Sequence, residues 1–358
     1  MQWNSKKMLA SAAASLVSVT SLLSADMDNA QVRNLENRVT ALEQKRGASG
    51  MINPPARPEV KNGVDLFVHG DWLIWQAHED GLPVGIKNKE LTGTIAKGKT
   101  KNIDFDWDFG FRVGIGYNTP HDGWDLDLTW LRFYTEGHSS THAHANEEIL
   151  ATRIHPDFGL DRFQKAKGHW HARLNQIDLD LGREFYVSKW LTVRPHFGLR
   201  TTWLRQKFNI NYDHYTFDPT IDVDVRNKNH WWGLGPEAGL DTQWGLGSGF
   251  SLYGNLAASI EYGFHKVRVK NHPLPPLNVK DSHRNSRAIL DLQIGLQWDH
   301  LFYNDRYHIG LHGGWEQHVY FNQNQFDVFV DDLNEGTFVS NQGDLTYQGW
   351  TLGAQFDF

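Results

Sequence analysis

From Val64 to Phe358 apolar and polar residues alternate with period two in segment after segment, a beat that restricts this part of the chain to β-structure. The stretch "DFDWDFGFRVGIGYN" at 104–118 shows it. Phe105, Trp107, Phe109, Phe111, Val113, Ile115 and Tyr117 share one face, while Asp104, Asp106, Asp108, Gly110, Arg112, Gly114 and Gly116 share the other. A soluble strand averages about five or six residues. A strand crossing a bilayer at about 45° needs about 9 to 11, with aromatic rings at each interface.

The pattern recurs along the chain. Leu126 and Leu128 alternate with Asp125 and Asp127; Leu179 and Leu181 with Asp178, Asp180 and, further on, Glu184; Val193, Phe197 and Leu199 with Arg194 and Arg200. Leu234 and Leu240 oppose Glu237 and Asp241, Ile260 and Tyr262 oppose Glu261, Leu290 and Leu292 oppose Asp291, and Trp315 opposes Glu316. With the irregular segment Val64 to Trp75 and the terminal "WTLGAQFDF", ten strands are expected. Residues 81–96 offer two more, so the expectation is about 10 to 12.

The connections alternate as strictly as the residues. Short links stand at 119–123, 188–190, 245–249 and 300–305, and long polar ones at about 79–103, 136–168, 213–229, 272–286 and 323–343. Short turns at one end and long loops at the other mark an antiparallel up-and-down transmembrane β-barrel, all-β, in a bacterial outer membrane. A Greek-key sandwich has no reason to obey that rule.

Composition agrees. Outside the N-terminus no run approaches the roughly 18 to 20 apolar residues of a spanning helix. A barrel hides from window-averaged hydropathy because its two faces cancel. There is no cysteine, hence no disulfide, thiolate site or cysteine nucleophile. The formal charge of −7 and the lack of a basic run argue against nucleic acid.

At the N-terminus, Lys6 and Lys7 precede the apolar run Met8 to Leu23, and Ser24-Ala25 supplies small residues for cleavage. Residues 1–25 therefore read as a secretory signal peptide. Removing the two lysines takes the charge from −7 to −9. Val32, Leu35, Val39 and Leu42 form an a/d seam of two heptads over 26–46, either a small periplasmic coiled coil that makes a homo-oligomer, a trimer included, or a lone amphipathic helix. Residues 47–63, Gly- and Pro-rich, read as a linker and 64–358 as the barrel.

Charged residues facing lipid at mid-depth would cost about 2 to 4 kcal/mol. Asp104, Asp106, Asp108, Arg112, Asp125, Asp127, Asp178, Asp180, Glu184, Arg194, Arg200, Glu237, Asp241, Glu261, Arg287, Asp291 and Glu316 are therefore assigned to the lumen. Two readings of them stand: a polar conduit whose acidic excess favours cations, or paired charges filling a barrel of eight to ten strands, narrow enough for side chains to plug. Histidines crowd the second long loop and its return (His138, His142, His144, His155, His169, His171). Without further ligands at fixed spacing they read as a pH-responsive surface loop, so no metal and no cofactor is expected. Ser139 and Ser140 near histidines, and His121-Asp122 in "HDGWD", supply the residue types of a catalytic site without its motif; Pro120 and Gly123 mark the latter as a tight turn. No enzyme is expected.

"FRVGIGYN" at 111–118 followed by "HDGWDLDLTW" at 121–130 resembles the pore-forming major outer-membrane proteins of the Legionella type, which also occur in chlamydia-like intracellular bacteria. The other strands fit along nearly the whole mature chain, but only this segment is specific. The resemblance implies an outer-membrane porin, often oligomeric, for ions and small hydrophilic solutes. Relatives are commonly cross-linked through cysteines, which this chain lacks. Trp350, Leu352, Phe356 and Phe358 on the terminal strand resemble the signal read by outer-membrane assembly machinery. The expected partners are thus outer-membrane lipid, that machinery and further copies of the chain. The alternative function is a narrow or plugged barrel serving as a structural protein or as an adhesin through its long loops.

Overall fold

The computed structural model describes residues 55–89, 97–156, 159, 161–272, 277–330, 337–340 and 343–358. The segment expected to be a signal peptide, the heptad seam at Val32, Leu35, Val39 and Leu42, and the first part of the expected linker lie outside them. The described residues contain no α-helix.

Ten antiparallel strands close a barrel: β1 Leu66–Glu79, β2 Trp107–Asn118, β3 Trp124–His142, β4 Arg162–Arg183, β5 Leu191–Tyr215, β6 Val223–Gly247, β7 Phe250–His272, β8 Leu277–Phe302, β9 Tyr307–Asn324 and β10 Gly343–Asp357. Each pairs with its neighbours in sequence. β10 returns to β1 in a ladder from Phe67↔Asp357 to Glu79↔Leu345, so no edge is left open. All ten expected segments are barrel strands.

Residues 81–96 do not widen the barrel. Pro83–Asn88 forms a strand, but it pairs with Gly98–Asn102 and Glu148–Ala151 in a branch off the wall. Tyr212, pointing inward from β5, donates to the Val84 carbonyl at 2.9 Å, which places this segment in the long-loop mouth. Residues 55–63, expected as free linker, are bonded to the opposite end. Ala56 N–H donates to the Glu184 carbonyl at 3.1 Å, Lys61 N–H to the Asp305 carbonyl at 2.7 Å, and Arg57 to the carbonyls of Thr119 and Trp124.

The short turns stand where the sequence puts them, and positive φ at Asp122, Gly123, Ser248 and Gly249 lets the chain reverse within a few residues. The long connections are largely strand instead. β5 and β6 run 25 residues each and β8 runs 26. At about 3.4 Å per residue and 45° tilt such strands rise about 60 Å, twice a hydrocarbon core of about 30 Å.

Two zones divide the strands other than β2, which is belt throughout. Near the short turns the outward face is apolar and exposed, as with Phe109, Phe111, Val113 and Ile115 on β2 or Leu256, Ile260 and Tyr262 on β7. On β7 this belt runs from Phe250 to Phe264, about 34 Å along the membrane normal. Beyond it the apolar residues point inward. Leu73, Trp75, Phe133, Trp170, Leu174, Leu204, Phe208, Tyr320 and Tyr347 are buried in one cluster that fills the barrel above the belt.

Candidate functional site

The interior at belt height carries charges, and they are paired. Arg112 on β2 donates to Asp71 on β1 at 2.9 Å and, through Nη2, to Glu316 on β9 at 2.6 Å. His318 lies between Glu316 (3.0 Å) and Asp291 (2.7 Å). Arg200 on β5 then holds Asp291 on β8, Asp178 on β4 (2.8 Å) and Glu237 on β6. Alternation brings all of these inside, because each sits one residue out of phase with the belt apolars. Two strands separate Arg112 from Glu316, and two separate Arg200 from Asp291, so the pairs span the lumen rather than lie along its wall.

Other bonds cross as wide or wider. The Tyr320 hydroxyl on β9 donates at 2.8 Å to Gln176 on β4, the strand diametrically opposite. Gln206 on β5 donates at 2.7 Å to Glu79 on β1, and Asn229 on β6 at 3.0 Å to the Gln323 carbonyl. Gln323, Asn324 and Phe326 are buried as the chain leaves β9 and turns into the mouth. Above the belt, burial pushes the Glu79 carboxyl up to about 8 and the Arg153 guanidinium down to about 10.

Towards the short turns the interior opens into a cavity of about 370 Å³. Asp125, held by Arg194 at 3.1 Å, Asp127, held by His69 at 3.1 Å, Asp180, Glu184 and Asp241 line it, with Arg57 at its mouth. Eleven carboxylates face this space against four arginines.

Of the assigned lumen residues, Arg112, Asp125, Asp127, Asp178, Asp180, Glu184, Arg194, Arg200, Glu237, Asp241, Asp291 and Glu316 line this cavity and its network. Glu261 and Arg287 are buried higher up, Glu261 accepting from Thr202 at 2.8 Å and Arg287 donating to His265 at 3.2 Å. Asp108 is half-buried at the long-loop rim, accepting from the Glu136 N–H. Asp104 and Asp106 are not in the lumen. The strand breaks at Asp106, so Phe105 turns inward onto Trp170 while Asp104 pairs with Lys101 in solvent and Asp106 lies exposed near His138. The alternation from 104 to 118 is not one continuous strand.

Sequence reasoning missed Asp71, which lies in the irregular first segment, and the histidines His69, His312 and His318. The last two were legible as polar partners of Leu311 and Val319. Among the described residues one set of side chains converges as metal ligands could: Glu136, His138 and His169, on the outer surface. His138 and His169 are direct cross-strand partners with their Nδ1 atoms 2.8 Å apart. Ser139 is buried and Ser140 exposed, so the two hydroxyls do not share a site. His121-Asp122 sits in the turn before β3, where the Asp122 carbonyl accepts from Arg183 at 2.7 Å. On β10, Trp350 and Leu352 project outward, and Phe358 packs on Phe356 while its N–H donates to the Leu66 carbonyl.

The family model of the Legionella pneumophila major outer membrane protein precursor matches residues 56–358, the whole barrel with the bonded segment that precedes it. The chain belongs to this family. Membership places the protein in the outer membrane and gives the apolar belt its solvent, lipid. Among solved structures the barrel is similar to the outer membrane protease OmpT from Escherichia coli (9% identity, 84% of this chain and 100% of that one, TM-score 0.43). It is also similar to the Pseudomonas putida toluene transporter TodX (8%, 86% and 93%, TM-score 0.32) and to OprG from Pseudomonas aeruginosa (9%, 82% and 99%, TM-score 0.28). No curated protein sequence matches the chain.

Proposed function

We propose that this family member is a non-enzymatic outer-membrane barrel closed to solutes, a rigid scaffold that presents the elements of its long-loop end at the cell surface. The observation that carries the reading is the filled interior: Trp75, Phe133, Trp170 and Tyr347 are buried at its centre, and Tyr320 meets Gln176 across the full diameter. With Tyr320 packed on Tyr347, and Tyr347 on Trp75 and Phe133, the bond and the rings around it fill the cross-section at that level. Short turns then face the periplasm, where residues 55–63 lie against the barrel. In a liposome-swelling assay the refolded mature chain should admit no monosaccharide; swelling at a rate set by solute size would defeat this reading.

A second reading has its own support. The carboxylate excess around the 370 Å³ cavity suits a cation-preferring diffusion porin. It requires the aromatic layer and the chain after Gln323 to move out of the lumen. A cation-selective reversal potential across a salt gradient would favour it.

A further inference from the structure

The sequence has no basic run, yet the barrel assembles one across its strands. Beyond the belt, directly paired outward residues form two lateral rows from β4 to β8. One carries Arg173↔Arg205↔His230↔Lys266, and the next carries Lys207↔Lys228↔Arg268↔Lys280. Like charges placed directly opposite on neighbouring strands are destabilising in water. The four residues of the second row have no carboxylate partner among the described residues; Arg268 donates only to the Asn278 amide oxygen at 3.1 Å. The nearby carboxylates serve other cations, Asp213 with Lys165 (3.6 Å) and Asp224 with Arg226 (3.2 Å).

The rows stand at a defined depth and on one side only. On β5, β6 and β7 the last outward ring, Trp203, Trp232 or Phe264, stands two residues from Arg205, His230 or Lys266 on the side away from the belt. Two residues are about 7 Å of strand, about 5 Å along the normal at 45° tilt, which puts the first row inside a head-group layer about 5–7 Å thick; the second row stands about 10 Å above the hydrocarbon edge, from where lysine and arginine stems reach back to the phosphates. Arg284, 4.5 Å from the Phe264 ring centroid, sits at the same boundary. The opposite wall has no lysine or arginine there: the corresponding outward positions are Gln317 and Val319 on β9, Thr346 and Gln348 on β10, and Gln76 and His78 on β1, with His78 facing Asp80 at 3.3 Å.

We propose that the outer face of β4–β8 just beyond the belt binds the anionic phosphate monoesters of lipid head groups in the surrounding leaflet, in preference to the charge-balanced phosphodiester of a zwitterionic lipid. Long, flexible stems let lysine and arginine reach a phosphate plane from a fixed strand, and a shared row of anions turns mutual repulsion into cohesion. The proposal rests on the apolar belt being embedded in a bilayer.

The test refolds the full mature chain into phosphatidylcholine nanodiscs and titrates bisphosphorylated lipid A, the same lipid stripped of phosphate, and inorganic phosphate, reading bound lipid by native mass spectrometry. The wild type should retain the phosphorylated form and discriminate against the stripped one, with millimolar inorganic phosphate failing to displace it. The combined variant K207Q, K228Q, R268Q and K280Q should bind about tenfold more weakly or worse. In neutral lipid it should melt no lower than wild type, because repulsion has been relieved. K207R, K228R and K280R together should bind as wild type does. Equal retention of both lipid forms, unaltered binding by the glutamine variant, or displacement by inorganic phosphate would each overturn the proposal. Insertion without phosphate preference sinks this inference alone, whereas failure to insert would sink the embedded belt and this inference with it.

Discussion

Replacing Arg200 by methionine removes the cation that three carboxylates share. The three lose unequally. Asp178 keeps a hydrogen bond from Gln176 at 2.9 Å and Asp291 keeps His318 at 2.7 Å, but Glu237 has no other partner among the described residues, its second oxygen being buried and unbonded. Breaking a buried pair by removing one member costs about 3–5 kcal/mol. The flat apolar stem of methionine fills most of the arginine volume, so cavity terms are small and the loss is electrostatic. Adding Glu237→Gln removes the stranded charge and should restore about 1–3 kcal/mol, the penalty of one buried unsatisfied polar group. Equilibrium unfolding in urea from phosphatidylcholine vesicles, followed by tryptophan fluorescence, reads both values. A single variant within about 1 kcal/mol of wild type, or a double variant no better than the single, would refute the claim that Arg200 ties the interior together.

Glu79 gives a pH signature. Its folded-state value, raised by burial to about 8, lies above its unfolded value, so its contribution is fully present below the unfolded value and is lost as pH rises through about 8. Wild-type unfolding midpoints should fall between pH 5 and pH 9, and Glu79→Gln should flatten that slope while keeping the Gln206 hydrogen bond; an identical slope in the variant would contradict this. Trp75→Ala should cost about 3–5 kcal/mol by opening the centre of the aromatic layer, checked by the same titration. Asp106→Asn should leave any ion current unaltered, since Asp106 lies exposed on the outside near His138; a change in reversal potential would return it to the lumen.

The wall of the barrel was legible because lipid imposes one rule on every strand it touches. The upper half was not, because the rule inverts there. In the belt the odd residues Ile177 and Leu179 of β4 face out; past Gln176 the even residues Leu174, Ala172 and Trp170 face in, and the odd ones are Arg173 and His171. Water outside and a packed interior replace lipid outside and charges inside, so the apolar phase slips by one residue. Adjacent apolar pairs record the slip: Trp72-Leu73, Trp130-Leu131, Trp203-Leu204, Trp231-Trp232 and Ile289-Leu290 each place one residue outward and the other buried. Read with a fixed phase, these segments lose their alternation and pass for polar loops. The lumen residues were legible by parity wherever a strand runs unbroken. Parity failed at Asp104 and Asp106, beyond a break that no period can signal. Which charges meet across the barrel depends on curvature and register, properties of the closed sheet rather than of any one strand.

Closure of the interior is the central claim, and single-channel recording tests it. Residues 26–358, refolded and shown to be inserted by protease protection, are placed in a planar bilayer beside the variant Trp75→Ala with Phe133→Ala. Absence of conductance steps in the wild type and their appearance in the variant would agree with a lumen sealed by the aromatic layer. Stable wild-type steps with a cation-selective reversal potential would contradict it and make the carboxylate-lined cavity part of an open pore.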